Sequence, residues 1–191
     1  MDQAQAKNGI NRLPLADLAD RHRGLTAALA EVYREAAGVC LARHHSSPAE
    51  FSIRNESSNV QALAEWSPPD ERTRAAYANR IDTTEYGAYG CAIAAVELAE
   101  GLFVVRRAET MTGADYYIAG VGAAGDDLEG CLRLEVSGTD KGTPASLNRL
   151  LFAKIEQAKA GRSGLPALAA VVGFKSLLIC IERAANDELG Y

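Results

Sequence analysis

Residues 131–138 read CLRLEVSG, and this stretch decides how the rest of the chain is interpreted. Leu132, Leu134 and Val136 alternate with polar residues. In a β-strand, successive side chains point to opposite faces, so this alternation predicts one apolar and one polar face. Glu135 lies inside this strand, where burying an ionised carboxylate without a partner is costly. We therefore expect Glu135 to face a cation, an arginine or solvent.

Two candidate strands lie upstream and form a predicted hairpin. Residues 102–109 (LFVVRRAE) are rich in β-branched and apolar side chains, and residues 114–120 (ADYYIAG) follow after a Met-Thr-Gly turn. Asp115 stands at the start of the second of these strands. The sequence thus predicts two carboxylates, Asp115 and Glu135, on successive strands.

A helical region is predicted before the hairpin. It begins after Asp70, which is a suitable N-cap residue, is interrupted near residues 82–84, and ends at Glu100. Its last part is strongly apolar, which indicates burial, and contains Glu97. Glu97 is therefore the third candidate acid.

Another helix and two strands are predicted after residue 138. Pro144 suits the first turn of a helix, and apolar residues repeat at helical spacing from there to Gly161. Residues 167–174 (ALAAVVGF) and 176–183 (SLLICIER) have the apolar character of strands. The chain from residue 71 onward therefore alternates helices and strands.

The first 70 residues have a different pattern. Apolar residues at helical spacing predict one long amphipathic helix from near Pro14 to just before the Ser-Ser-Pro sequence. Residues 51–54 favour a short strand, and the state of residues 60–66 is left open. We therefore divide the chain into an N-terminal helical extension, residues 1–70, and an α/β core, residues 71–191.

Composition excludes several classes of protein. The chain is 48% hydrophobic with a net charge of −5, which fits one globular domain and argues against general binding of polyanions. Its four cysteines form no C-x-x-C pair, so neither a zinc site nor a disulfide framework is indicated. The polar start does not look like a secretory signal, and no stretch approaches the ~20 apolar residues of a membrane span. We expect a cytoplasmic protein without membrane contact.

Carboxylates on neighbouring strands favour chemistry on phosphodiesters. Their cleavage uses hard divalent cations that polarise the phosphate and activate water, and such cations prefer oxygen ligands. Asp115, Glu135 and Glu97 are the acids that could converge on such a cation. From the residues alone, an exposed sheet face for Glu135 remains an equal alternative.

The succession helix, strand, strand, strand, helix, strand resembles the core of the PD-(D/E)xK, or restriction-endonuclease-like, nuclease superfamily. The resemblance covers roughly residues 75–183. It implies a three-layer α/β/α sandwich with a small, mixed, mostly antiparallel sheet. It also implies that Asp115 in TGADYYI and Glu135 in LEVSG bind Mg²⁺ or Mn²⁺, with Glu97 as an auxiliary ligand. The implied activity is hydrolysis of DNA in defence or repair.

The lysine of the family motif is missing from its usual place, because position 137 holds Ser137. Members of the superfamily are known to supply this lysine from the following helix. Residues 153–159 (AKIEQAK) offer Lys154 and Gln157, three apart on one helix face, while Lys141 is the second choice. The catalytic set implied by the resemblance is therefore Asp115, Glu135, Lys154 and Gln157.

Basic residues cluster around the proposed site. Between positions 141 and 175 a single acid, Glu156, accompanies six basic residues. This local patch is what contacts to the phosphates of DNA require, although a solvated helix face explains it equally well. The basic residues are Lys141, Arg149, Lys154, Lys159, Arg162 and Lys175.

A second hypothesis is a non-catalytic protein on the same fold, and Ser137 favours it. Glu135 would then pair with Arg133, Arg106 or Arg107, and the protein would be a nucleic-acid-binding or protein-interaction subunit. Under this hypothesis an exposed apolar surface on the first helix would mark a partner interface. Under either hypothesis we expect the first helix to pack on the sheet or on a second subunit, so a homodimer or a partner protein stays open.

Overall fold

A computed structural model of the chain describes residues 10–110, 112–123, 128–160 and 164–184. Within these ranges, no helix is both long and apolar enough to cross a bilayer. The strands are β1 (Asn11–Arg12), β2 (Ala49–Arg54), β3 (Asn59–Ala64), β4 (Phe103–Arg107), β5 (Tyr116–Ala119), β6 (Leu132–Thr139), β7 (Ala167–Gly173) and β8 (Leu178–Ala184). The helices are α1 (Leu18–Arg21), α2 (Ala27–Ala42), α3 (Glu71–Ala76), α4 (Arg80–Glu100) and α5 (Pro144–Ala160).

The strands form one mixed sheet in the order β1-β3-β2-β8-β7-β6-β5-β4. The β4-β5 hairpin is antiparallel, as predicted, and β5 continues antiparallel to β6. β6 then runs parallel to β7, with α5 as the crossover between them. The chain is thus α/β, as predicted, but an eight-stranded sheet is larger than the small sheet expected.

The N-terminal residues contribute to this sheet. β2 pairs parallel with β8 through Ser52 and Leu178, and antiparallel with β3. β1 adds to the far side of β3. Residues 1–70 were predicted to be a helical extension, and the structure corrects this, because β1, β2 and β3 of this segment are strands of the central sheet. The correction has a simple cause: the pairing of β2 with β8 joins residues more than a hundred positions apart, which no local pattern reveals.

Helices cover both faces of the sheet. Along β7, Leu168, Ala170 and Val172 belong to the apolar core that contains α2 and α4. The alternate residues Ala167, Ala169 and Val171 pack with α5 instead. Strand alternation therefore separates two layers of helices, and side chains of β6 that face α5 are on the opposite side from those that face α4.

The first helix is interrupted, in contrast to the single helix predicted from Pro14. α1 ends at Arg21, and α2 begins only after Thr26, whose side chain accepts a hydrogen bond from the amide of Leu29. Between them, the Cα of Gly24 approaches β4 so closely that a Cβ would lie 2.6 Å from the amide nitrogen of Arg106. The chain leaves the helical conformation here in order to pack against β4.

The second helical region is also divided, but not near residues 82–84 as predicted. Asp70 caps α3 by accepting from the amide of Thr73, as expected. Asn79 starts α4 by accepting from the amide of Ile81. The hydroxyl of Thr83 donates to the carbonyl of Asn79, so a polar side chain within the helix is satisfied without breaking it.

Candidate functional site

Glu135 lies on the face of β6 that packs against α5. Its side chain is 5% exposed, and Oε1 accepts a hydrogen bond of 2.7 Å from Nζ of Lys154. Burial raises the pKa of Glu135, and the charge of Asp115 acts in the same direction, while the bond from Lys154 opposes both. Nζ of Lys154 also donates to Oε1 of Gln157, one helical turn further along α5, at 3.2 Å.

Asp115 directly precedes β5, and hydrogen bonds to β6 hold it beside Glu135. Its backbone amide donates to the carbonyl of Leu134, and its Oδ2 accepts from the amide of Val136 at 2.8 Å. Oδ1 accepts from the hydroxyl of Tyr89 on α4 at 2.8 Å. The carboxylate is therefore fixed by both a strand and a helix.

The four residues predicted as catalytic line one cavity of about 830 Å³. It opens between the N-terminal half of α4, the end of β6 and the middle of α5. Ser137 lines the same cavity. The lining residues are Arg80, Ile81, Thr84, Glu85, Ala88, Tyr89, Asp115, Glu135, Val136, Ser137, Gly138, Thr139, Asp140, Lys141, Lys154 and Gln157.

Glu97 is not among these residues, which corrects its predicted place beside Asp115 and Glu135. Its Oε1 accepts from Arg21 at 2.7 Å and its Oε2 bonds to the buried His22 at 2.9 Å. The apolar residues flanking Glu97 made it the preferred acid of α4. Those residues instead pack the helix on the sheet, so the far end of α4 points away from the cavity.

Glu85, which sequence reasoning did not select, is the acid of α4 that reaches the cavity. Its Oε1 accepts from the hydroxyl of Tyr89 at 2.9 Å, so Glu85 and Asp115 share one phenol as a hydrogen-bond partner. It lies twelve residues before Glu97 on the same helix. Local sequence could not show that Glu85 and not Glu97 lies at the cavity, because this depends on which end of α4 crosses β6.

The arginines that the second hypothesis paired with Glu135 have other partners. Arg133 donates to the carbonyls of Leu165 and Thr112. Arg106 pairs with Glu109 on the surface. Arg107 pairs with Asp115 instead, with 3.8 Å between Nη2 of the arginine and Oδ1 of the aspartate.

The basic patch is only partly at the cavity. Lys141 and Lys154 line it, and Arg80 of α4 adds a cation that was not predicted. Lys159 pairs with Glu156 at 3.2 Å. Arg162 lies outside the described residues.

The oxygen donors at the cavity suit a hard divalent cation. Carboxylates of Asp115, Glu135 and Glu85 line it, and Mg²⁺ and Mn²⁺ prefer such ligands. Within the described ranges, no group of three or more His, Cys, Asp or Glu side chains is arranged to hold a metal ion. Mg²⁺ does not require one, because it is usually bound by one or two carboxylates together with water and substrate phosphates. One or two of these carboxylates could therefore hold Mg²⁺ or Mn²⁺ only together with water or another ligand.

Comparison of the chain with protein-family models, with curated proteins and with solved structures gives no match.

Proposed function

We propose that this chain is a divalent-metal-dependent nuclease that hydrolyses phosphodiester bonds in DNA, on a restriction-endonuclease-like core. The proposal is carried by one observation. Lys154 of α5 contacts Glu135 of β6 at 2.7 Å, beside Asp115 in the same cavity. Two carboxylates and an amine at one cavity are the groups that the PD-(D/E)xK resemblance requires, with the amine supplied by the helix instead of the strand.

Each of these groups has a distinct task in the proposed reaction. A bound Mg²⁺ or Mn²⁺ would polarise the phosphate and lower the pKa of a water molecule. Asp115 and Glu135 would hold the cation, and Glu85 lines the same cavity. Lys154 would orient the attacking water or stabilise the charge that develops on the phosphate, and Gln157 holds the lysine amine by accepting from it.

Two basic residues at the rim of the cavity could contact the phosphates of a nucleic acid. Arg80 and Lys141 are exposed at its rim, one from α4 and one from the loop after β6. Cations in these positions neutralise phosphates, and each such contact makes binding weaker as salt rises. The lining as a whole holds three basic side chains, with Lys154 the third, and four acidic ones, so a bound divalent cation would be needed to make the cavity favourable for a polyanion. A role in defence against foreign DNA or in repair accords with the resemblance.

The decisive assay is cleavage of plasmid and single-stranded DNA in the presence of Mg²⁺ or Mn²⁺. We expect cleavage by the wild type, none with a chelator, and a loss of at least about 10²-fold for Glu135→Ala. Glu109→Ala is the matched control, since Glu109 is an exposed partner of Arg106 outside the cavity. Cleavage that Glu135→Ala leaves unchanged would refute this site.

Ser137 favours a second candidate function, that of a non-catalytic nucleic-acid-binding or protein-interaction subunit on the same fold. Without a lysine on β6, Lys154 is committed to an ion pair with Glu135, and such a pair also serves as a purely structural contact. Under this candidate, the chain binds DNA without cleaving it, and Lys141→Ala weakens binding while reducing the salt dependence by about one ion. Metal-dependent cleavage that Glu135→Ala abolishes would exclude it.

A further inference from the structure

The hydroxyl of Tyr89 joins two of the acids at the cavity. It lies 2.9 Å from Oε1 of Glu85 and 2.8 Å from Oδ1 of Asp115. A phenol has one hydrogen to donate, so it satisfies one carboxylate at a time while its oxygen stays in contact with the other. The two carboxylates are thereby kept within two hydrogen-bond lengths of each other. The guanidinium of Arg107, 3.8 Å from Oδ1 of Asp115, offsets part of their mutual repulsion, and a bound divalent cation would offset more of it.

Arg107 of β4 holds this phenol in place. Its Nη2 donates to the hydroxyl of Tyr89 at 3.3 Å. Its guanidinium lies 4.8 Å from the ring centroid of Tyr89 and 4.6 Å from that of Tyr116, which are cation-π distances. Tyr89 itself is 4% exposed. The hydroxyl is thus fixed by neighbours that do not line the cavity.

The surrounding rings restrict Tyr89 further. Tyr116 meets it edge-on, with centroids 5.7 Å apart, and Tyr33 packs against it at 5.4 Å. The hydroxyls of Tyr33 and Tyr116 are hydrogen-bonded to each other. Because each ring is locked by the next, Tyr89 has little freedom to rotate away from Glu85 and Asp115.

We propose that Tyr89, held by Arg107, is a positioning residue that sets the separation of Glu85 and Asp115 and so the affinity of the site for a divalent cation. The inference rests on the proposed function, and it adds Glu85 to the cation site through a group that is not itself a ligand. Groups that orient metal ligands contribute about 10-fold to 100-fold to metal affinity. Tyr89 would act through its contacts with both carboxylates, donating its hydrogen to one of them at a time.

Tyr89→Phe tests this with the least disturbance, because it keeps the ring and its contacts with Arg107, Tyr33 and Tyr116. Tyr86→Phe is the matched control: it also removes one phenol hydroxyl from α4, but Tyr86 is 40% exposed and does not line the cavity. Mn²⁺ binding to each purified variant is followed by the loss of the free-ion electron paramagnetic resonance signal. The Mg²⁺ concentration for half-maximal DNA cleavage is a second readout.

We expect Tyr89→Phe to weaken Mn²⁺ binding by about 10-fold or more and to raise the Mg²⁺ midpoint similarly, with cleavage at saturating Mg²⁺ changed much less. Tyr86→Phe should behave like the wild type in both assays. Equal Mn²⁺ affinity for Tyr89→Phe and the wild type would overturn the inference.

Glu135→Ala in the same titration separates this failure from failure of the proposed function. If Glu135→Ala loses Mn²⁺ binding and cleavage while Tyr89→Phe does not, only the role of Tyr89 is refuted. If Glu135→Ala changes neither property, the proposed cation site is wrong and the inference falls with it.

Discussion

Lys154 lies nineteen residues after Glu135 in the chain, yet its Nζ is 2.7 Å from Oε1 of that glutamate. The contact is possible because α5 crosses back over the sheet between the parallel strands β6 and β7. It neutralises a carboxylate that is 5% exposed and whose pKa burial raises. The pair therefore links β6 to α5. Among the described residues, Lys154 is the only amine that is bonded to Glu135.

Lys154→Met should lower the free energy of unfolding by about 2 kcal/mol, because the buried Glu135 loses a charge-assisted hydrogen bond from a partly exposed amine. Adding Glu135→Gln to this variant should restore at least half of the loss, since the buried charge is then gone. Lys159 pairs with Glu156 on the surface, so Lys159→Met should change the free energy of unfolding by less than about 0.5 kcal/mol. Urea denaturation measures all three. A double variant less stable than Lys154→Met would contradict the pairing.

The same substitution should reduce cleavage of DNA independently of its effect on folding. We expect kcat of Lys154→Met to fall about 10²-fold to 10³-fold, as for loss of one group that stabilises developing charge. The double variant with Glu135→Gln should be at least as inactive, although it is more stable. The proposed role of the lysine fails if Lys154→Met cleaves at the wild-type rate.

Glu85 and Glu97 occupy the same helix but should behave in opposite ways. Glu85→Gln should weaken Mn²⁺ binding by about 10-fold, because its carboxylate lies at the cavity. Glu97→Gln should leave Mn²⁺ binding unchanged and lower the free energy of unfolding by about 1–3 kcal/mol, since Arg21 and His22 lose a charged partner. Calorimetric titration and urea denaturation of both variants measure the contrast. Weaker Mn²⁺ binding by Glu97→Gln, with unchanged binding by Glu85→Gln, would show that Glu97 and not Glu85 belongs to the cation site.

His22 should make the protein less stable in mild acid. Val104 donates its amide hydrogen to Nδ1, so Nε2 carries the ring hydrogen and donates to Glu97. Burial lowers the pKa of His22 below its ordinary value of 6.5, despite the opposing effect of Glu97. Below that pH the unfolded chain takes up a proton that the folded imidazole resists, so the free energy of unfolding falls as pH drops.

Denaturation at about pH 7.5 and about pH 5.5 measures this dependence in the wild type and in His22→Gln. The variant should be less stable at both values but lose less stability between them, because its side chain does not titrate. Equal losses in the two proteins would show that other groups cause the dependence.

Gly138 is required where β6 passes under α4 beside the cavity. A Cβ at this position would lie 2.6 Å from that of Ala88 and 2.9 Å from the carbonyl oxygen of Thr84. Gly138→Ala should therefore cost about 1–3 kcal/mol of stability through overpacking. Gly164→Ala is the control, since nothing lies within 4 Å of its added Cβ. Thermal denaturation compares the two, and a Gly138→Ala melting temperature equal to that of the control would contradict the close approach.

Features that depend on local sequence were predicted well. The alternation in β6, the hairpin of β4 and β5 and the start of α5 at Pro144 all follow from patterns a few residues long. The closeness of Lys154 and Gln157 follows from helical spacing. Patterns of this kind report the secondary structure and its faces, which is why the α/β class could be inferred.

Features that depend on distant pairing were not visible. β2 pairs with β8, although more than a hundred residues separate the two strands in the sequence. The division of α1 from α2 depends on how Gly24 packs against β4. The choice of Glu85 over Glu97 has the same origin, because apolar flanks reveal that α4 is buried but not which end meets the acids on the sheet. Tertiary packing decided each of these outcomes.

Anomalous diffraction from crystals soaked in Mn²⁺ tests the central claim most directly, because it shows where a hard cation binds. The account predicts a peak in the cavity within coordination distance of both Asp115 and Glu135, about 2.0–2.3 Å from their oxygens. A fully soaked crystal that shows no peak in the cavity, and in which Lys154 is still hydrogen-bonded to Glu135, would contradict the proposed cation site.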